Sequence, residues 1–557
     1  MGPYKNSMMG KQMFMKPILS AGIVLLSFSA VAQDTIRKRT VEVSSQFKPV
    51  LKDAAKINFN AAPPTTDTTR PRLQYQIPNQ NLQFLYQPGM LKPLALDIDT
   101  GGKWSNESYV KAGFGSLKTP FFQAGLSVGD GKTVGLNLYA KHISSKGKID
   151  FQKYSNTSFD AAAFFQTAKS LEWNARLGAE QQTQYRYGFT KGLTFSDDSL
   201  KVKYQTWRGR IGFHNLNATE FGLSYAPEVR VEVFNDQLKN SESNSLLYLP
   251  LKKRVGEKFE ADVVVEASMS RYKPDEKDQV KNNYLSLSPT LLFKTPNLNI
   301  HAGLRPSWDN KEFKLFPNVM VEAGTVDKRF AIQLGWTGHL RNSGYQYTAG
   351  YNPWIWAPET VKNTRIEERF AGVKGAVGDH FSFGARMMYN RLNNQPLYLN
   401  SLVNGGKSFK VIYEPQMDQF QLGGEMGLTF GERFSLISNL AINQYRKLKE
   451  NEKPWGLLPL EFTTKLRIQV LKDLYITSDM YVFGGPWYQN NSGDAKQLKG
   501  AVDLATGAEF KIVKNVKLWA QFNNILGNEY QRWNQYPVYG FNFMGGVVFS
   551  FAQNNSK

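Results

Sequence analysis

The sequence predicts an all-β fold: a transmembrane antiparallel β-barrel of about 22 strands with a short irregular N-terminal segment before it. Three observations predict it. Apolar side chains recur with period two along most of the chain, as strands require and helices do not. Short turns and longer connections alternate from residue 106 onward. The last hairpin presents an aromatic-rich face through Phe541, Phe543, Val547, Phe549 and Phe551, opposite Asn542, Gly546 and Ser550. A soluble β-sandwich shows the same alternation in any one hairpin. The sustained short and long connections set the barrel apart from it.

Residues 1–32 read as a secretory leader. Lys5, Lys11 and Lys16 precede the apolar run 17–32, which ends in Ala30-Val31-Ala32. A basic start, a short apolar core and an A-x-A site form an export signal, and the run is too short to anchor a spanning helix. Residues 33–104 form an irregular segment rich in Pro, Asn, Gln and Thr, a reduced plug or lumen filler. Within it, Thr40, Val41, Glu42, Val43 and Ser44 lie in a brief alternating strand.

The barrel is assigned to residues 105–551, with 552–557 as a tail. Ten short turns are expected at 129–132, 168–170, 215–217, 256–258, 295–297, 326–328, 378–379, 431–433, 472–473 and 514–515. One strand on each side of every turn, plus an opening and a closing strand, gives about 22, an even number that leaves both chain ends on the same side. Several runs are very regular. Phe462, Thr464, Leu466, Ile468 and Val470 oppose Glu461, Lys465, Arg467 and Gln469, and Phe259, Ala261, Val263, Val265 and Ala267 oppose Glu260, Asp262 and Glu266. Phe221 to Val233 is expected as one long run. Leu466, Ile468, Val265 and Val231 should face hydrocarbon near mid-membrane, and Lys465, Arg467, Glu266 and Glu232 the lumen. The longest loops are expected at about 341–363 and 391–407. Their exposed aromatics Tyr345, Tyr351, Trp354 and Trp356, with Trp487 and Tyr488 further on, are the candidate ligand-capturing residues.

Composition agrees without choosing. The chain has 557 residues, no cysteine and a net charge of +21, which falls to +18 without the three leader lysines. The absence of cysteine excludes a disulfide framework and thiolate metal sites. Excess positive charge suits an anionic lipid surface or an anionic ligand, but spread over many strands and turns it reads as a solvated face, and nothing calls for a nucleic acid. The five histidines are scattered, with no pair at zinc-helix spacing, and there is no phosphate loop. No catalytic, metal or cofactor residue is assigned, and the sequence gives no argument for an enzyme.

Two stretches resemble the barrel of the TonB-dependent outer-membrane receptors. The first runs Asn352-Pro353-Trp354-Ile355, Ala357-Pro358-Glu359-Thr360, then Gly372-Val373-Lys374-Gly375, with Ala357 where the family often has Lys. The second runs Phe522-Asn523-Asn524-Ile525-Leu526, Asn528-Glu529-Tyr530 and Tyr536-Pro537 into the closing strand. The resemblance implies residence in a Gram-negative-type outer membrane, insertion by its assembly machinery, and ligand uptake driven by a TonB-type transducer that Thr40 to Ser44 would contact. The chain departs from the family in lacking Gly-rich plug text and in continuing past Phe551. Two functions follow: ligand transport across the outer membrane, or a plugless scaffold that binds another outer-membrane or periplasmic protein and carries no solute.

Overall fold

The computed structural model describes residues 107–552 apart from 169, 190–193, 328 and 403–405. The leader, the segment 33–104 with Thr40 to Ser44, and the tail beyond Ala552 therefore lie outside the described residues. Each strand pairs antiparallel with its predecessor, and the last, Asn542–Ala552, pairs with the first, Glu107–Gly115, over nine residue pairs from Glu107↔Ala552 to Gly115↔Met544. The sheet holds 24 segments. Two short pieces, Leu223–Tyr225 and Val280–Lys281, continue neighbouring strands, which leaves 22 full strands in a closed ring. Closure removes the unpaired edge that hydrocarbon could not hydrogen-bond.

All ten expected turns join adjacent strands, at one end of the ring. The connections at the other end are not uniformly long. Residues 116–118 and 310–311 make tight turns, whereas 344–361, 394–416, 484–500 and 524–541 are long, the first carrying a short helix and the other three a small hairpin each.

The expected run from Phe221 to Val233 is broken. Pro227 lacks the N–H that would continue the ladder, so Leu223–Tyr225 is separated from Glu228–Asp236. The side chain of Asn215 bridges the gap, accepting from the Tyr225 N–H at 2.8 Å and donating to the Leu223 carbonyl at 2.9 Å. A side-chain amide thus replaces the peptide group that proline withdraws.

The outward face is that of a membrane barrel. Phe165, Phe259, Phe330, Phe430 and Phe549 stand exposed near the turn end, and Phe114, Trp308, Trp336, Phe522 and Phe543 near the loop end. Phe543 and Phe551 are eight residues apart on one strand, roughly 20 Å of height at 3.3 Å per residue and a 40° tilt. That is close to the apolar band between two aromatic girdles. Val231 is 42% exposed on this face, while Glu232 accepts a hydrogen bond from Gln346 inside. Glu266 likewise faces in and accepts from the Tyr284 hydroxyl at 2.6 Å. The level of Ile468 differs from the expectation. It pairs with Phe434 beside the turn 431–433, so it sits at the turn-end girdle and not at mid-membrane. The long apolar run raised the expectation because periodicity reports face and carries no information about depth.

The inner wall is polar and largely paired. Lys294 meets Glu260 at 3.0 Å, Lys374 meets Glu322 at 2.9 Å, and Glu228 meets Arg210 and Arg230. Lys294 and Arg210 thus reach Glu260 and Glu228 from neighbouring strands, and Arg230 reaches Glu228 along its own strand. Lys465 stands opposite Asp479, and Arg467 lies over the Tyr475 ring.

The closing ladder has an inward cover. Gly113 faces Gly546 across it, and a Cβ on Gly546 would come within 2.0 Å of the Ala112 carbonyl oxygen. Trp519, on the adjacent strand Val516–Asn523, lies over this bare backbone and donates from Nε1 to the Ala112 carbonyl at 3.2 Å. One ring therefore spans three strands at the point of closure, flanked by Phe121 at 5.2 Å and by Lys111, whose ammonium is 4.5 Å from the Trp519 ring centre.

Two tests follow from these placements. Val263, level with the middle of the apolar band, should cost about 2–4 kcal/mol when changed to Arg, and Ile468→Arg only about 0–1 kcal/mol. Reversible urea unfolding in lipid measures both, and equal costs would refute the assigned depths. Trp519→Ala should remove about 3–5 kcal/mol, and Gly546→Val should prevent closure. Heat-modifiable gel mobility reads closure directly, and unchanged mobility and stability in both variants would remove Trp519 as the cover of the ladder.

Candidate functional site

The long connections do not splay into solvent; they meet over the mouth. A ring of 22 strands is about 40 Å across, and contacts between its loops cross that width. The Lys407 ammonium donates to the Gly188 carbonyl at 2.8 Å, from a connection ten strands away around the ring. It also donates to Gln535 at 3.4 Å, and its own carbonyl accepts from the Tyr536 hydroxyl at 2.5 Å. Burial lowers the Lys407 ammonium to about 8. Arg532 donates to the Tyr351 hydroxyl at 2.9 Å and to the Gly456 carbonyl at 3.1 Å. Tyr187 reaches the Pro537 carbonyl at 2.7 Å, and Tyr204 the Pro353 carbonyl at 3.0 Å.

The central piece is residues 344–361. Its short helix Tyr345–Tyr351 starts at Gly344 and is held by carboxylates from strands five and six places away. The Tyr345 hydroxyl donates to Asp236 at 2.7 Å, the Gln346 backbone N–H to Glu242 at 2.6 Å, and the Gln346 amide to Glu232 at 2.9 Å. Asn352 ends the helix, and its side chain accepts from the Trp354 N–H at 3.1 Å. The chain then runs beside the hairpin Gln395–Ser401/Ser408–Glu414. Ile355 forms a parallel bridge with Phe409, framed by Trp356 N–H to the Phe409 carbonyl at 2.9 Å and Phe409 N–H to the Trp354 carbonyl at 3.1 Å. Backbone pairing of this kind makes two loops one layer.

Aromatic rings fill that layer. Trp354 stacks on Tyr536 at 4.1 Å, Tyr351 on Tyr398 at 4.9 Å, and Trp533 packs edge-on to both Tyr398 and Phe409. Cations lie against the rings: Arg186 over Trp356, Arg341 over Tyr347, and Arg532 over Trp533. Each such contact on a desolvated ring is worth about 1–2 kcal/mol, which adds to the larger gain from burying the rings themselves. The hairpin is anchored in turn by Glu414, whose carboxylate accepts from the backbone N–H groups of Lys449, Glu450 and Asn451 and from the Asn451 amide. Burial works to raise this carboxyl, and the four donated hydrogen bonds outweigh it and hold it below its ordinary range.

Four of the six aromatics expected to be exposed come together here, inside the layer. Tyr345 is 1% exposed, and Tyr351, Trp354 and Trp356 are half-buried. Trp487 and Tyr488 lie apart in the small hairpin Trp487–Gln489/Ala495–Gln497, where Trp487 bridges Trp455. The sequence reading missed Tyr187, Tyr204, Tyr398, Phe409, Trp533 and Tyr536, and the two cations Lys407 and Arg532 that tie loops together. A shared signal was present: each of these loops pairs an aromatic with a Pro, Gly or Asn able to fix its turn. Among the described residues no group of His, Cys, Asp or Glu converges as a metal would need.

No known sequence family matches the chain, and no curated protein does. Solved structures do match. A ferric enterobactin receptor of Pseudomonas aeruginosa aligns at 12% identity over 81% of each chain with a TM-score of 0.59. The FrpB iron transporter of Neisseria meningitidis aligns at 11% identity over 81% of this chain and 82% of its own, with a TM-score of 0.60. The siderophore receptor PirA of Acinetobacter baumannii aligns at 11% identity over 80% of each chain, also at 0.60. The chain thus shares the barrel fold of these receptors and of this transporter, to which the resemblance in its sequence had pointed.

Proposed function

We propose that this chain is an outer-membrane transport barrel and that the aromatic layer over its mouth is the outer gate. The observation that carries the reading is the layer's construction: loops ten strands apart close a mouth about 40 Å wide through side-chain contacts, which can part without breaking the barrel ladder. In this reading the short turns and both chain ends face the periplasm, and a ligand enters when the layer opens. A ferric siderophore, the class named for the structural neighbours, is the first ligand to test.

We place residues 33–104 in the lumen as its filler. The width of the ring supports this, since a barrel of 22 strands encloses a lumen that needs a filler. Thr40 to Ser44 would then add a strand to a TonB-type transducer through backbone hydrogen bonds. A second reading, a scaffold that carries no solute, is favoured by the dense hydrogen bonding that holds the layer shut.

An engineered lock separates the two. The Ile355 and Phe409 backbones are paired, so Ile355→Cys with Phe409→Cys sits at disulfide spacing in a chain with no other cysteine. If these two loops must part for passage, oxidation should stop ligand uptake and reductant should restore it; uptake indifferent to the lock would show that the ligand passes without separating them.

The energised step has its own variants. Val41→Pro or Val43→Pro removes a backbone donor and should abolish uptake while the barrel still folds. Deleting 33–104 should admit large antibiotics. Uptake that survives the proline would count against a transducer, and an unchanged antibiotic barrier after the deletion would count against the lumen filler.

A further inference from the structure

The outer wall carries a recess that neither the barrel nor the gate requires. On the strand Lys362–Val377 the outward residue Ala371 stands in register between Leu334 and Met387 of the flanking strands Phe330–Ser343 and Phe381–Asn393. A methyl group between two long side chains leaves an apolar trough of about 450 Å³, walled further by Val319 and Phe420. The next outward row toward the loop end is Trp336, Arg369 and Tyr389, again in register.

Arg369 is unusual for this position, because an outward guanidinium at the edge of hydrocarbon is costly unless its donors are taken up. Glu367 accepts one of its five N–H groups at 2.5 Å and also accepts from Trp336 Nε1 at 2.9 Å. The guanidinium remains 42% exposed, 5.1 Å from the Trp336 ring centre. On the neighbouring strands at the same end, Asp418 accepts from the Tyr389 hydroxyl and is approached by Arg391 at 3.7 Å and Lys447 at 3.2 Å, the latter 73% exposed. Three cations therefore face two carboxylates along one rim, directly above an apolar trough. Hydrocarbon offers no acceptor to the remaining donors, and the headgroup layer does.

We propose that this recess binds one phosphate-bearing membrane lipid, with an acyl chain in the trough over Ala371 and its phosphate on Arg369, Arg391 and Lys447. Charge complementarity selects the headgroup, since the rim has one more cation than anion. The trough selects a lipid over a free anion, because the apolar half of the site needs a chain.

Native mass spectrometry of the delipidated full-length protein tests this with three probes: dioleoyl phosphatidic acid, dioleoylglycerol and inorganic phosphate. Phosphatidic acid should be retained at least about fivefold better than dioleoylglycerol, the gain expected of one net cation at a membrane surface, and excess inorganic phosphate should not displace it. Arg369→Gln should bring phosphatidic acid down to the level of dioleoylglycerol. Ala371→Trp should fill the trough and abolish retention of both, and Met387→Trp, which narrows it from the side, serves if the first variant does not close into a heat-modifiable barrel. Equal retention of the two lipids by the unmodified protein, full retention by the filled variants, or displacement by inorganic phosphate would each overturn the assignment.

Discussion

The ladder between the first and last strands is the constraint on which everything else rests. In hydrocarbon an unpaired N–H or carbonyl has no substitute partner, so 21 correct strand pairings are worth little until the twenty-second is made. The chain provides for that step locally. Gly113 and Gly546 let two backbones approach, and Trp519 restores the packing that the missing side chains forfeit. Elsewhere the ladder tolerates damage, as at Pro227, because Asn215 stands ready with a donor and an acceptor. The closing pair has a spare group of the same kind at its loop end, where the Ser116 hydroxyl accepts from the Phe543 N–H at 3.0 Å and donates to the Phe543 carbonyl at 3.2 Å.

With the ring closed, the loop end becomes a fixed frame of anchor points, and the loops can be read as struts across it. The struts are polar at their feet and aromatic at their crossings. Asp236, Glu242 and Glu414 grip backbone and hydroxyl donors near the wall, while Trp354, Tyr398, Trp533 and Tyr536 meet over the centre. This division follows from solvent. Feet beside the wall are surrounded by other polar side chains, whereas crossings must exclude water to hold together over an open channel.

Strand positions and facing were legible because alternation and turn chemistry are local properties. Phe259 to Ala267 and Phe462 to Val470 face as their period requires, and each expected turn is a turn. Depth was not legible, as Ile468 shows, since period two repeats identically from one interface to the other. The layer over the mouth was hardly legible at all. Tyr345 and Trp354 stood out as aromatics in a polar loop, and in such text exposure is the natural expectation; what buries them is Asp236, 109 residues earlier, and Tyr536, much later in the chain. Alternation reports which side a residue faces, and no local pattern reports which distant loop will arrive above it. Nor does the sequence state what Thr40 to Ser44 touch, because an extended segment acquires its meaning from a partner's edge.

The span of the Lys407 contact has a temporal meaning. Lys407 and Gly188 are 219 residues apart, and Tyr187 and Pro537 are 350 apart, so these contacts close very large loops for one hydrogen bond each. Entropy forbids such links in an open chain; they become cheap only after the ring has fixed their ends. The outer layer is therefore the last part of the molecule to form, and its presence certifies a finished barrel. A molecule that stalls before closure leaves those loops without their partners, so the contacts of this layer distinguish completed copies from aborted ones.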